Sequence, residues 1–552
     1  MITIKEFEYS TNALKDMEQS WYAKNWPVVY IMHNDTDAYV GETLDGIRRT
    51  KQHLDEETDT DYKLICMLTN KDFNKSVVLD MESFLIKYMS ADQKYRLHNG
   101  NAGVVNHNYF NREIYQDDFR EAWSKLLDLG LADKTLDAIE NSDLFKYSPY
   151  KALTDEQKDA LYRILNAIRN HNYNGEKNLI VINGEAGTGK TILAVYLIKL
   201  LKEITDQKLS YYPDEDGIDG MDYLNAFAKK IGNMKVGFVV PMQSLRESLK
   251  GVFAGVDGLS PNMIIKPADL AKDDFYDLLV VDEAHRLHRR KNLAQYPQFD
   301  GVNEKLGLDE SGTELDWVIK RSRMQLIFYD SAQSVRPSDI DRTQFEAIVD
   351  KHKCEQIELK SQLRCKGGKD YVEYVKNVLE GMAQKRQGNF GNYDLRFFDN
   401  PDDLVVEIQK KDKEFGLCRM VAGYAWEWKS KSDKNAFDIT LNGKDYRWNT
   451  TPVDWINSDN AVNEIGCIHT VQGYDLNIAG VIFGEDIYYD KNDDCIKINS
   501  SKYYDSLGKT KDADKLKEYI VHIYETLMTR GIKGTYVYVC DPALREYLKK
   551  YF

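Results

Sequence analysis

LIVINGEAGTGKTILAVYLIKLLKEI, residues 179–204, joins an apolar run to an apolar helical pattern through a loop that holds three glycines. The run reads as a buried strand and the pattern beyond Thr191 as a helix. Gly184, Gly187 and Gly189 let successive backbone amides turn toward an anion, and the helix N-terminus adds its dipole. In that frame Lys190 reaches the outer phosphates of a nucleotide, and the Thr191 hydroxyl ligates Mg2+. A strand, a phosphate loop and a helix in that order predict an α/β fold built around ATP.

A second strand supports the same chemistry. LLVVDEAH, residues 278–285, ends in Asp282 and Glu283. Asp282 is placed to hold the Mg2+, and Glu283 to orient and deprotonate the attacking water. Further runs rich in Val and Ile follow the same rhythm: VGFVV (236–240), QLIFYD (325–330), CRMVAG (418–423), IGCIH (465–469), AGVIFG (479–484) and TYVYVC (535–540). Strands alternating with helical stretches predict parallel α/β sheets. Eight such strands exceed one ordinary sheet domain, so they divide at about residue 352, before CEQIELKSQLR.

At 552 residues the chain exceeds one core, and three or four domains are expected. The predicted order is a domain at 1–110, a helical connector at 111–150, an ATPase lobe at 151–352 and a second lobe at 353–552. No apolar run approaches the length of a membrane span, and the expectation is a cytoplasmic protein without membrane contact. Seven scattered cysteines form no CxxC pair, the pattern of free thiols in a reducing compartment. The net charge of −15 speaks, taken alone, against a nucleic-acid partner. Basic residues nevertheless gather beside the motifs, at Arg48, Arg49 and Lys51, at Arg286, Arg289, Arg290 and Lys291, and at Arg364, Lys366 and Lys369.

From about residue 150 to 545 the chain resembles the superfamily 1 helicases and, more closely, the Schlafen-type helicase-like ATPases. LTDEQ (153–157) resembles the adenine-reading Q motif, with Gln157 as the reader, and VVPMQSLRESL (239–249) stands where strand-contacting motif Ia lies. FYDSAQSVRP (328–337) resembles motif III, LKSQLRC (359–365) motif IV, IHTVQGYDLNIAGVIFG (468–484) motif V and YETLMTRG (524–531) motif VI. The resemblance implies two RecA-like lobes, with Gln333 sensing the γ-phosphate and Arg364 and Arg530 meeting it from the second lobe. It also implies that Gln472 and Gly473 couple nucleotide state to a bound strand. Positive charge supplied across a cleft ties hydrolysis to closure.

Residues 26–53, WPVVYIMHNDTDAYVGETLDGIRRTKQH, have a different texture. They resemble the start of a GIY-YIG nuclease domain, with VVY (28–30) and YVG (39–41) as the two tripeptides and Val28 in place of the first glycine. The resemblance extends to Arg49, His53, a metal-ligand candidate Glu82 in LDMESFLIKYM (79–89), and Asn101 or Asn99 in HNGNAG (98–103). Phosphodiester hydrolysis needs a metal on a carboxylate (Glu82), a cation on the developing charge (Arg49) and a proton relay (Tyr30, or Tyr39 with His53). Because the phenol is a poor base near its ordinary pKa of about 10, metal and Arg49 are expected to favour ionised Tyr30.

The motifs together predict an ATP-dependent nucleic-acid motor fused to a metal-dependent endonuclease, with ATP and Mg2+ as cofactors and DNA ahead of RNA as partner. By analogy such a fusion serves defence against foreign DNA or DNA processing. Two other readings stay open: a non-cutting ATP-driven nucleic-acid switch and a regulatory assembly protein. The sequence leaves the oligomeric state unassigned.

Overall fold

The computed structural model describes residues 1–55, 60–99, 109, 112–151, 153–171, 178–206, 227–272, 274–383, 390–451 and 454–552. The chain forms two compact units. One comprises Met1–Lys158, Ile192–Met234 and Leu249–Pro261, and the other Asp159–Thr191, Lys235–Ser248 and Asn262–Phe552.

The first unit holds a sheet of order β1-β4-β2-β3-β5, made of β1 (Thr3–Glu8), β2 (Val28–His33), β3 (Asp37–Thr43), β4 (Leu64–Thr69) and β5 (Arg96–Leu97). All its pairs are antiparallel except β3 with β5. Asn34 sets the β2–β3 turn, its Oδ1 accepting from Thr36 N at 2.8 Å and Asp37 N at 2.7 Å, an Asx turn of the kind that short polar side chains favour. That turn fixes the register in which Tyr30 faces Gly41. Two helices, Gly46–Asp55 and Lys75–Asp92, carry Arg49, His53 and Glu82. The second is capped by Asn74, whose side chain accepts from Val77 N. Short helices at Gln116–Asp128, Leu136–Asn141 and Asp143–Lys146 follow.

The second unit contains two parallel sheets. The first has the order β11-β6-β10-β9-β7-β8, from β6 (Asn178–Gly184), β7 (Val236–Val239), β8 (Ile264–Ile265), β9 (Tyr276–Val281), β10 (Ser322–Tyr329) and β11 (Lys353–Leu359). The second has the order β12-β20-β17-β13-β16, from β12 (Asp394–Phe397), β13 (Cys418–Ala422), β16 (Ile465–Cys467), β17 (Leu476–Phe483) and β20 (Gly531–Val539). Two hairpins, β14 (Ile439–Leu441) with β15 (Lys444–Tyr446) and β18 (Ile487–Asp490) with β19 (Cys495–Ile498), complete the strands. Successive residues of the second sheet point into different cores: Val421, Val481 and Val537 into one, and Met420, Ile482 and Tyr536 into the other. Burial on both faces is why these strands read as unbroken apolar runs.

One predicted boundary moves. The division at 352 placed CEQIEL in the second lobe, yet β11 pairs in parallel with β6 from Lys353↔Asn178 to Leu359↔Gly184. The first sheet therefore ends after Leu359. As an edge strand β11 is buried on one side only, so it keeps Glu355, Gln356 and Glu358 and lacks the apolar signature of its neighbours. All seven cysteines are free thiols. Among the described residues no helix is long and apolar enough to cross a membrane.

Candidate functional site

The phosphate loop leaves β6 at Gly184 and enters the helix Lys190–Thr205. Gly187 and Gly189 hold φ values of +86° and +79°, a region that glycine alone occupies without strain. Lys190 Nζ donates to Gly184 O at 2.6 Å and Glu185 O at 2.9 Å, and lies 3.7 Å from Asp330 Oδ2. Thr191 Oγ1 donates to Asp282 Oδ2 at 2.7 Å. The pair offers adjacent hydroxyl and carboxylate oxygens, the donor set a hard divalent cation prefers. Asp282 stands just past β9, fully buried, and burial and the neighbouring Glu283 raise its pKa. Glu283 takes a left-handed backbone with φ +50°, its N–H donating to Asp282 Oδ1 at 3.0 Å. Its Oε2 lies 3.1 Å from His285 Nε2. Burial pushes the His285 pKa down to about 3, so this imidazole is neutral and the contact is not an ion pair.

From Lys190 a polar chain crosses to the second sheet. Asp330 Oδ2 accepts from Gln333 Nε2 at 2.6 Å, and Gln333 Oε1 accepts from Arg530 Nη2 at 3.3 Å. Arg530 is 1% exposed and also donates through Nη1 to Tyr474 O at 3.2 Å. Lys190, Thr191, Asp282, Gln333 and Arg530 are thus brought together. Arg364 is engaged elsewhere, its guanidinium paired with the Asp475 carboxylate. Its neighbours lie on the loop itself: Gln362 Nε2 donates to Ala186 O at 2.7 Å and Leu363 N to Gly187 O at 2.8 Å. Gln472 is fully buried, and among the described residues neither of its amide atoms has a hydrogen-bond partner. Gly473 takes φ +92°, and a Cβ there would come within 3.4 Å of Leu245 Cβ.

Gln157, in the first unit, makes local bonds. Its Oε1 accepts from Thr154 N at 3.1 Å and its N–H donates to Thr154 Oγ1 at 3.2 Å. That is a capping box for the helix Asp155–Asn170, which the same Thr-x-x-Gln spacing also encodes.

The basic residues gathered after Asp282 are matched by acids of the same unit. Arg286 donates to Asp339 Oδ2 at 2.7 Å, Arg289 pairs with Asp341, and Arg290 Nε donates to Asp300 Oδ1 at 2.7 Å. Asp339 and Asp341 lie some fifty residues further along the chain and Asp300 ten, so the pairing is not visible in the local run of basic residues. Sequence reasoning also missed Asp505, which accepts from Arg336 Nε at 3.0 Å and lies 3.0 Å from His469 Nε2. It joins motifs III and V from an irregular segment without periodicity. Asp330 lies inside motif III, just past the end of β10, a position that itself signals a functional carboxylate.

In the first unit Tyr30, Tyr39, Arg49 and His53 converge. Tyr30 Oη lies 2.9 Å from His53 Nε2 and accepts from Arg49 Nε at 3.2 Å. The Tyr39 ring stands 6.3 Å from that of Tyr30 and 5.8 Å from that of His53. A Cβ on Gly41 would fall 2.3 Å from Tyr30 Oη, so the glycine makes room for the phenol. Glu82 is mostly buried, and burial, then the nearby Glu42, push its pKa up to about 8, against Lys75 and Arg49. Burial, then Tyr39, raise the Tyr30 pKa more than Arg49 lowers it. Arg49 alone is therefore outweighed by burial and does not by itself ionise Tyr30. Asn99 clamps β3, its Oδ1 accepting from Val40 N at 3.0 Å and its Nδ2 donating to Val40 O at 2.7 Å. Asn101 lies outside the described residues.

The P-loop, its paired carboxylate and the second parallel sheet define a helicase-like P-loop protein. Residues 177–541 match the Schlafen group 3 DNA/RNA helicase domain, and the chain belongs to that family. An uncharacterized protein of Saccharomyces cerevisiae is 26% identical over 447 residues, covering 72% of this chain and 90% of the relative. An uncharacterized protein of Spiroplasma virus SpV1-C74 is 46% identical over 59 residues, 11% of this chain and 17% of that one. Among solved structures, Pif1 helicase from Candida albicans is 10% identical with a TM-score of 0.29, covering 72% of this chain and 98% of that one. Bacteroides Pif1 bound to ssDNA is 10% identical with a TM-score of 0.26, covering 72% and 94%.

Proposed function

We propose that this chain is an ATP-hydrolysing nucleic-acid motor whose first unit is a metal-dependent endonuclease of GIY-YIG type. The observation that carries the motor reading is the chain Lys190, Asp330, Gln333, Arg530, which links the phosphate loop to the second sheet. Thr191 and Asp282 are the residues to hold Mg2+, which would offset charge on the phosphate oxygens when bound. Lys190 exchanges its loop carbonyls for the β and γ oxygens, and Glu283 orients the attacking water and takes its proton. Arg530 meets the charge that develops on the γ-phosphoryl group, and Gln333 reports its presence. Arg364 joins once it leaves Asp475, so hydrolysis is tied to movement of the second sheet. Gln472 and Gly473 pass that movement to a bound strand, DNA ahead of RNA, and Gln157 reads the adenine.

In the first unit Glu82 holds the metal, Arg49 steadies the phosphate charge and Tyr30 with His53 relays the proton. The clustering of these side chains supports cutting. The rival reading is a nucleic-acid switch that does not cut. Motor-fed cleavage suits destruction of foreign DNA or DNA processing. One assay series decides: ATP hydrolysis and plasmid or RNA cleavage, with and without Mg2+ and ATP. ATPase that ignores every nucleic acid overturns the motor, and failure to nick any substrate with any divalent metal overturns the nuclease.

A further inference from the structure

The β1-β4-β2 face turned away from Tyr30 carries three side chains that the reactions above do not use. Glu6 on β1 stands directly across from Cys66 on β4, and Cys66 stands across from Ile31 on β2. His33 lies two residues beyond Ile31, so all three side chains project from one face. Tyr30 and Met32 project from the other, into the core with Phe7, Ile65 and Met67.

The donor atoms are closely grouped. His33 Nε2 is 3.3 Å from Glu6 Oε2, Cys66 Sγ is 3.4 Å from the same oxygen, and Sγ is 4.0 Å from Nε2. Tetrahedral zinc with ordinary bond lengths spaces its nitrogen and oxygen ligands about 3.3 Å apart, and sulfur from either about 3.5 to 3.6 Å. Two of the three edges already fit, and the third needs a shift of about 0.4 Å to match. The His33 ring is suitably oriented, since its Nδ1 lies 3.4 Å from the Asn34 carbonyl oxygen. An N–H there leaves the Nε2 lone pair toward the other two ligands, the usual outer support of a metal-bound imidazole. The Tyr95 ring, 5.5 Å from the imidazole, walls the same side. His33 and Cys66 are buried while Glu6 is exposed, which gives an ion an entry path.

We propose that Glu6, His33 and Cys66 form a zinc-class divalent metal site that fastens the edge strand β1 to β4 and β2, with its fourth position open on the solvent side. Thiolate, imidazole and carboxylate together select a borderline-soft cation over Mg2+. Burial and the Glu6 charge otherwise keep the Cys66 thiol protonated, so binding releases its proton.

The test is titration of the chelator-treated full chain with Co2+, followed by absorption. The expected result is a thiolate-to-cobalt band in the near ultraviolet that saturates at one ion per chain and is displaced by Zn2+. Neither the Thr191 and Asp282 pair nor Glu82 offers sulfur, so the band reports a cysteine ligand, and the loss of Cys66 tells it from the six other free thiols. Cys66→Ser should abolish it. Outer partners alone are worth about 10- to 100-fold in affinity, so Glu6→Gln should weaken Co2+ binding by more than about tenfold. Glu6 is exposed, so that variant keeps the fold if Cys66→Ser does not. A folded wild type that binds Co2+ without the band, or an undiminished band in Cys66→Ser, overturns the proposal and leaves a hydrogen-bonded trio.

Discussion

Arg530 Nη2 donates to Gln333 Oε1 at 3.3 Å, so the residue just before β20 is bonded to the segment just after β10. Arg530→Lys keeps the charge but loses the fork that reaches both Gln333 and Tyr474 O. Steady-state ATPase should fall by about 10³-fold or more, as when an arginine finger is removed. Lys190→Ala should abolish turnover. Melting curves run alongside separate this from unfolding, and wild-type turnover in a folded Arg530→Lys protein would refute the assignment.

Gln472 invites a change of the opposite kind. A buried amide left unpaired costs about 1–3 kcal/mol, so Gln472→Leu should raise resistance to urea by about 1 kcal/mol or more. It should also erase stimulation of ATPase by single-stranded nucleic acid while sparing the basal rate. A variant that is less stable and still stimulated would show the amide to be purely structural.

Gly41 offers a test of the first unit that leaves every polar candidate in place. Gly41→Ala puts a methyl group where Tyr30 Oη stands and should part the phenol from His53 and Arg49. Tyr30→Phe removes the hydroxyl outright. Both should abolish cleavage, as should Glu82→Ala and Arg49→Ala, with ATPase unchanged. Cleavage at the wild-type rate in Tyr30→Phe would remove the relay from the mechanism.

Asp486 predicts a pH dependence of stability. Its carboxyl is fully buried, accepts from Tyr524 Oη at 2.6 Å, and is pushed by burial from 3.8 to about 7. The folded protein then binds more protons than the unfolded chain between those values, so stability is greatest below about pH 4 for this group and is lost as pH rises toward 7. Asp486→Asn should flatten that slope, on the order of a few kcal/mol across the window. An unchanged slope in urea melts from pH 5 to pH 8 would show that Asp486 is ionised throughout.

The parallel strands were legible because each is covered on both faces, and the phosphate loop because its glycines and lysine keep a fixed spacing. What escaped lies where one residue type serves two ends. Gln157 fits both a base reader and a helix cap, and only geometry shows the cap being made. Arg286, Arg289 and Arg290 are close in sequence, but the acids that neutralise them come from 300 to 341. Asp505 joins Arg336 and His469 only after the chain has folded back. Cys66, His33 and Glu6 meet through strand register, which no local spacing encodes.

The polar edge strand β11 runs straight into Gln362 and Leu363, which grip the phosphate loop, and then into Lys366, whose N–H donates to Ile532 O at the start of β20. The passage between the two sheets is therefore a crank and not a slack tether: a displacement of the loop pulls on covalent chain already bonded at its far end. Lengthening it by a few glycines between Leu363 and Lys366 would leave both sheets intact and give the motor backlash, with ATP spent and no stroke delivered.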